Sequence, residues 1–191
     1  AAQLANCSPH ELLDFSASIN PLGPPISAIA AIQQSLETLT AYPDPGYHAL
    51  RNALGQFHQI SPDWIMPGNG AAELLTWACR ELATLESTYL LTPAFSDYRR
   101  ALSAFNANVE VLPFQDWYVP SSATSLSALC ALPHFLLPHS RAAGLLLNTP
   151  HNPTGVVFDR RTLLPLLDQF ALVVVDEAFM DFLPEDEQQS L

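Results

Sequence analysis

The side chain with the most chemical promise is Asp176, which ends the apolar run Leu172-Val173-Val174-Val175. A carboxylate there is costly to bury unless it meets a cation or a strong donor, and a protonated pyridine nitrogen is one such partner. Two other uses compete on the residues alone: Asp176 could cap the segment that follows it, or Asp176-Glu177 could end a Walker B strand and hold magnesium. Upstream, Gly68-Asn69-Gly70 opens a helix directly after an extended stretch, so backbone N–H groups and the helix dipole face outward with no side chain obstructing an anion. That suits a phosphate, although an ordinary strand-to-helix turn uses glycine as well. In His151-Asn152-Pro153-Thr154-Gly155 the Asn-Pro pair marks a tight turn, which presents the Asn152 amide rigidly as a donor to a ring oxygen or is simply a turn. Phe95, just past Thr92-Pro93-Ala94, could stack on an aromatic ligand or pack in the core.

These groups need a scaffold that brings them to one place, and the apolar pattern supplies it. Ile26, Ile29, Ile32, Leu36 and Leu39 recur at helical spacing after the break Asn20-Pro21-Leu22-Gly23-Pro24-Pro25, and a second helix is predicted over 47–57. Trp64 to Met66 is predicted as a short strand feeding Gly68, followed by a helix whose face carries Leu74, Leu75, Ala78 and Leu82. Strands are predicted at 89–91, 109–112, 144–147 and 171–175, with helices over 95–105 and near 162–167; the stretch 117–140 gives no clear pattern. Short apolar strands alternating with helices predict an α/β fold, a mostly parallel sheet covered on both faces. Such sheets bind ligands beyond the carboxyl ends of their strands, where Gly68–Gly70, Phe95, Asn152 and Asp176 would converge.

Composition removes several rivals. The chain has 191 residues, a net charge of −12 and seven basic side chains, all arginine, with no lysine. No P-loop lysine precedes Asp176, which removes the Walker B alternative. Scattered arginines on an acidic chain argue against nucleic acid and against an anionic membrane surface. No apolar stretch approaches the roughly 20 residues of a membrane span, and no secretory signal is expected. Cys7, Cys79 and Cys130 are odd in number and far apart, as expected of reduced, buried thiols in a cytoplasmic protein, and no metal site is expected.

Six segments in order, FSASINPLGPP (15–25), YPDPGYHALRNAL (42–54), MPGNGAAEL (66–74), TPAFSDY (92–98), NTPHNPTG (148–155) and VVVDEAFMDF (173–182), resemble pyridoxal-phosphate enzymes of the aspartate-aminotransferase fold type, the class I and II family. Within it the wording is most similar to the threonine-phosphate decarboxylase subgroup of cobalamin synthesis, with the histidinol-phosphate aminotransferases next. The resemblance implies pyridoxal 5'-phosphate as cofactor, a small phosphorylated amino-acid substrate and a homodimer. It further implies that Gly68, Asn69 and Gly70 cradle the cofactor phosphate, that Phe95 stacks on the ring, that Asn152 bonds the phenolic oxygen and that Asp176 pairs with the ring nitrogen. Tyr42 matches a tyrosine that reaches the neighbouring subunit's site, and Asn20 and Gly23 match an arm that closes over substrate. Residues 1–41 would form that arm and its helix, part of a small domain, and 42–191 an incomplete cofactor-binding large domain.

Two departures qualify the match. Phe179 stands where the aminotransferase pattern D-E-A-Y carries a tyrosine hydroxyl, which the resemblance assigns to the decarboxylase-like subgroup. The family's Schiff-base lysine and two arginines come after this motif, so the chain is expected to be a piece of a longer enzyme, inactive alone. The alternative from another class is a catalytically inactive binding or dimerisation module.

Overall fold

The computed structural model describes Ser8, Glu11 and residues 18–114, 140–188 and 190–191; Cys7, Cys130 and most of the unpatterned stretch 117–140 lie outside them. The chain divides into two compact units, 1–53 and 54–191. The first contains α1 (Ile26–Ser35), which runs on into a 3-10 turn at Leu36–Thr40, and the start of α2 (His48–His58). The predicted helical spacing is borne out, yet Ile26, Ile29, Ile32, Leu36 and Leu39 are all exposed. Asn20 and Gly23 form a turn: the Gly23 amide donates to the Asn20 carbonyl at 3.2 Å, and Gly23 takes φ +71°, a left-handed conformation open to glycine.

In the second unit the elements that position the site are α3 (Ala71–Leu82), β1 (Ser87–Thr92), α4 (Ser96–Ala104), β2 (Val109–Pro113), β3 (Ser140–Asn148), α5 (Arg160–Leu163) and β4 (Phe170–Asp176). The four strands form one parallel sheet in the order β2-β1-β3-β4. Alternate residues of the apolar strands serve opposite faces. Leu90 and Leu146 pack with Cys79, Leu82, Tyr98 and Leu102 of α3 and α4. Leu91, Leu145 and Leu147 pack on the other face with Phe158, Leu163 and Phe170. Each fully buried leucine contributes roughly 1.5–3 kcal/mol by leaving water, which makes the sheet a stiff base for whatever its carboxyl ends carry. Gly144 lets α3 close on β3, since a Cβ there would strike the Leu82 side chain. The expected α/β architecture, with parallel strands covered on both faces, is therefore present.

One predicted element is not. Trp64 to Met66 form no strand: Pro62–Trp64 is a 3-10 turn, capped by the Ser61 hydroxyl, which accepts from the Asp63 amide at 3.3 Å. Pro62 fixes the first position of that turn and removes a donor, so the chain bends before it can extend. Ile65 is then extended but has no ladder partner among the described residues, and Trp64 is 85% exposed. Among the described residues no helix is long and apolar enough to cross a membrane.

Candidate functional site

Register brings the polar strand ends side by side. Asn148, the last residue of β3, lies opposite Asp176, the last of β4, and the Thr149 amide donates to the Asp176 carbonyl at 2.9 Å. The Asp176 carboxylate is held at both oxygens: Oδ1 accepts the Ala178 amide at 2.9 Å, and Oδ2 accepts the Tyr98 hydroxyl at 2.7 Å. Tyr98 reaches it from α4, where it shares a buried face with Ala101 and Leu102. Burial, then the Asp176 charge and the hydrogen bond to it, raises the Tyr98 pKa far above the ordinary phenol value, so the hydroxyl stays a donor. The Phe95 ring meets Tyr98 edge-on, with centroids 5.6 Å apart.

The loop before α3 turns at Gly70, where φ +78° and ψ 169° lie in a region nearly confined to glycine. Glu73 in the first helical turn reaches back, accepting the Asn69 amide at 2.6 Å, and so ties the loop to its helix. After β3, the Asn148 side-chain amide donates to the Pro150 carbonyl at 3.2 Å, and the Phe158 amide donates to the Thr149 hydroxyl at 3.0 Å. His151 is the buried pin of this loop: it is 1% exposed, its Nδ1 lies 2.7 Å from the Thr154 hydroxyl, and its ring stacks on Phe114 at 5.0 Å. Asn152 is carried beside it toward the sheet edge.

Burial lowers the His151 pKa below the ordinary histidine value of 6.5, with the Pro93 backbone carbonyl pulling weakly the other way. Below pH 6.5 the unfolded chain takes up this proton more readily than the folded one, so stability is full above that pH and falls as pH drops toward the folded-state pKa. A steeper loss of melting temperature between pH 6.5 and 5 in the wild type than in His151→Gln is the expected result; parallel curves would show that His151 does not contribute.

Ala71, Leu75, Phe95, Asn148, Asn152 and Asp176 line one cavity of about 250 Å³, which Ala178 and Phe179 also border. Mostly apolar walls with a few convergent polar groups are the usual form of a small-molecule site. The structure thus brings together Phe95, Asn152, Asp176 and Phe179. Gly68, Asn69 and Gly70 precede the lining residues Ala71 and Ala72. Asn20, Gly23 and Tyr42 belong to the other unit and are exposed, Tyr42 completely. Cys79 is a buried small apolar residue, its thiol pushed up to about 11 by desolvation. No group of three or more His, Cys, Asp or Glu among the described residues is gathered for a metal ion. Tyr98 was not a sequence candidate, although its place three residues after Phe95, on the apolar face of α4, was a signal: a buried phenol needs an acceptor.

Comparison with known proteins gives the family and the fold. The chain is 34% identical to threonine-phosphate decarboxylase of Salmonella typhimurium over 190 residues, covering 97% of this chain and 50% of that protein. It is 32% identical to histidinol-phosphate aminotransferase of Symbiobacterium thermophilum, covering 91% of this chain and 46% of that protein. It therefore spans about half the length of the curated relatives it matches. The crystal structure of histidinol-phosphate aminotransferase from Sinorhizobium meliloti in complex with pyridoxal-5'-phosphate has the same fold, with a TM-score of 0.73 at 21% identity over 91% of this chain and 46% of that one. The family model described as aminotransferase class I and II matches residues 10–190, and the chain belongs to that family.

Proposed function

We propose that this chain is the cofactor-binding part of a pyridoxal-phosphate-dependent enzyme, and that the intact enzyme decarboxylates L-threonine O-3-phosphate to 1-aminopropan-2-ol phosphate in cobalamin biosynthesis. The observation that carries the cofactor reading is the single cavity in which the fixed Asp176 carboxylate, the Phe95 ring and the Asn152 amide converge. The donor set suits the group: an anionic acceptor for a ring N–H, a flat apolar surface for a ring face, an amide for a ring oxygen, and a glycine turn entering α3 for a phosphate. When bound, pyridoxal phosphate withdraws electrons from a substrate's α-carbon. Asp176 holds a proton at the ring nitrogen, Phe95 covers one face and keeps water from it, and Asn152 orients the ring through its phenolic oxygen. Gly68, Asn69 and Gly70, with the dipole of α3, hold the phosphate once the Glu73 carboxylate gives up the Asn69 amide and the Gly68 carbonyl gives up the Gly70 amide, which they accept at 2.6 and 2.9 Å. Phe179 borders the same cavity and adds only apolar surface, in keeping with the decarboxylase-like wording of its motif.

Further proposals follow from the same resemblance. The lysine that carries the cofactor and the arginines for its phosphate and the substrate carboxylate come from the remainder of a longer, cytoplasmic polypeptide. Tyr42, wholly exposed on its unit, reaches the neighbouring subunit's site in a homodimer, and Asn20 and Gly23 belong to the arm over the substrate.

The second reading is histidinol-phosphate aminotransferase, favoured by a relative nearly as similar as the decarboxylase. The two separate on one assay of the full-length enzyme. Carbon dioxide release from L-threonine O-3-phosphate without 2-oxoglutarate is the expected result. Amino transfer from histidinol phosphate to 2-oxoglutarate with no release of carbon dioxide would overturn it.

A further inference from the structure

We propose that Tyr98 is a positioning residue that holds the Phe95 ring and the Asp176 carboxylate in one fixed relation; the inference rests on the cofactor reading above and adds a residue to it. Tyr98 is 1% exposed and packed among Cys79, Leu82, Leu90, Leu102 and Leu146, so its ring has no room to change rotamer. From that anchor it makes two contacts toward the cavity. Its hydroxyl donates to Asp176 Oδ2 at 2.7 Å, a charge-assisted bond. Its ring meets Phe95 at an interplanar angle of 84°, the edge-to-face arrangement that aromatic pairs favour. Phe95 itself is 40% exposed, so Tyr98 is its support from the core side.

The consequence is geometric. Asp176 Oδ1 is tied to the backbone of the following turn through Ala178, and Oδ2 is tied through Tyr98 to α4. Two bonds from different elements fix the carboxylate plane. The group proposed to meet the cofactor's ring nitrogen and the group proposed to meet its ring face are thereby set by one rigid side chain. A flat ligand that must satisfy both finds them already in register, and the ordering cost of binding falls. The bland reading of Tyr98 is a core aromatic whose hydroxyl merely needs an acceptor; that reading predicts an effect on stability alone.

The test uses the full-length enzyme with Tyr98→Phe, Tyr98→Leu and Asp176→Asn, measuring apoenzyme affinity for pyridoxal 5'-phosphate, the pH dependence of the bound cofactor's visible absorption, and kcat and KM separately. Tyr98→Phe keeps the ring against Phe95 and removes the hydroxyl. It is expected to weaken cofactor affinity and kcat about tenfold, the factor a hydrogen bond to a charged group is worth. Its absorption titration shifts toward that of Asp176→Asn, while KM changes little, as expected of a residue that acts through Asp176 and Phe95. Tyr98→Leu, which also removes the ring beneath Phe95, weakens cofactor affinity further. Wild-type affinity, absorption profile and kcat in Tyr98→Phe, beside a damaged Asp176→Asn, would overturn the positioning role and leave the cofactor reading intact. An unchanged Asp176→Asn would remove the cofactor reading and this inference with it.

Discussion

Asp176→Asn in the full-length enzyme is expected to lower turnover by about 10²-fold or more, the usual loss when an electrostatic contact made to developing charge is removed. The substitution nearly preserves shape. The amide oxygen can still accept from the Ala178 amide, 2.9 Å from Oδ1, and the NH2 group can donate to the Tyr98 hydroxyl, 2.7 Å from Oδ2, because a phenol oxygen also accepts. Both tethers can therefore persist as neutral hydrogen bonds, and what the substitution removes is the negative charge. The proposed role needs the charge, because a neutral amide does not keep a ring nitrogen protonated. Asp176 is half-buried at the end of β4, where it adds little to the core, so the melting temperature should change far less than the rate. Near-normal turnover would remove Asp176 from the site, whatever the family resemblance implies. Turnover measured against melting temperature in the same preparation separates a chemical loss from a folding one.

The contrast between Asp176 and Tyr98 shows what a sequence can disclose about such a site. Asp176 was legible because a carboxylate closing Leu172–Val175 conflicts with its surroundings, and conflict is visible one residue at a time. Tyr98 is consistent with its surroundings, an aromatic on the apolar face of an amphipathic helix, and its role lies in a partner 78 residues away. The strands β3 and β4 were legible because burial on both faces leaves an unbroken apolar run. Trp64 to Met66 shows the same signal failing: three apolar residues looked like a strand, while Ser61 and Pro62 in front of them dictated a capped 3-10 turn. The helix α1 marks another limit. Its periodicity correctly gave a helix with one apolar face, yet Ile26, Ile32 and Leu39 stand well exposed, because periodicity reports that a face is apolar and not what covers it.

Gly70→Ala is expected to weaken pyridoxal 5'-phosphate binding by the full-length apoenzyme about 10- to 100-fold, from a backbone cost of roughly 1–3 kcal/mol at a conformation that only glycine adopts readily. Crowding plays no part: a Cβ on Gly70 would meet nothing within 4 Å, so the substitution isolates the backbone term. At φ +78° and ψ 169° the residue turns the chain from the extended Ile65 stretch into α3, and the first free amides of the helix take their direction from that turn. An alanine relaxes toward negative φ and re-aims them, which spoils an anion site built from backbone N–H groups even though no contacting side chain has changed. Glu73 would partly resist, since its bond to the Asn69 amide ties the loop to the first turn, and this keeps the fold while the amides shift. The expected pattern is therefore a large change in cofactor affinity with a small change in melting temperature. Comparing pyridoxal 5'-phosphate with dephosphorylated pyridoxal makes the assignment specific: Gly70→Ala should cost affinity for the first and little for the second. An equal loss for both would move the phosphate away from Gly68–Gly70, whereas a loss confined to the phosphorylated form locates the anion at the start of α3.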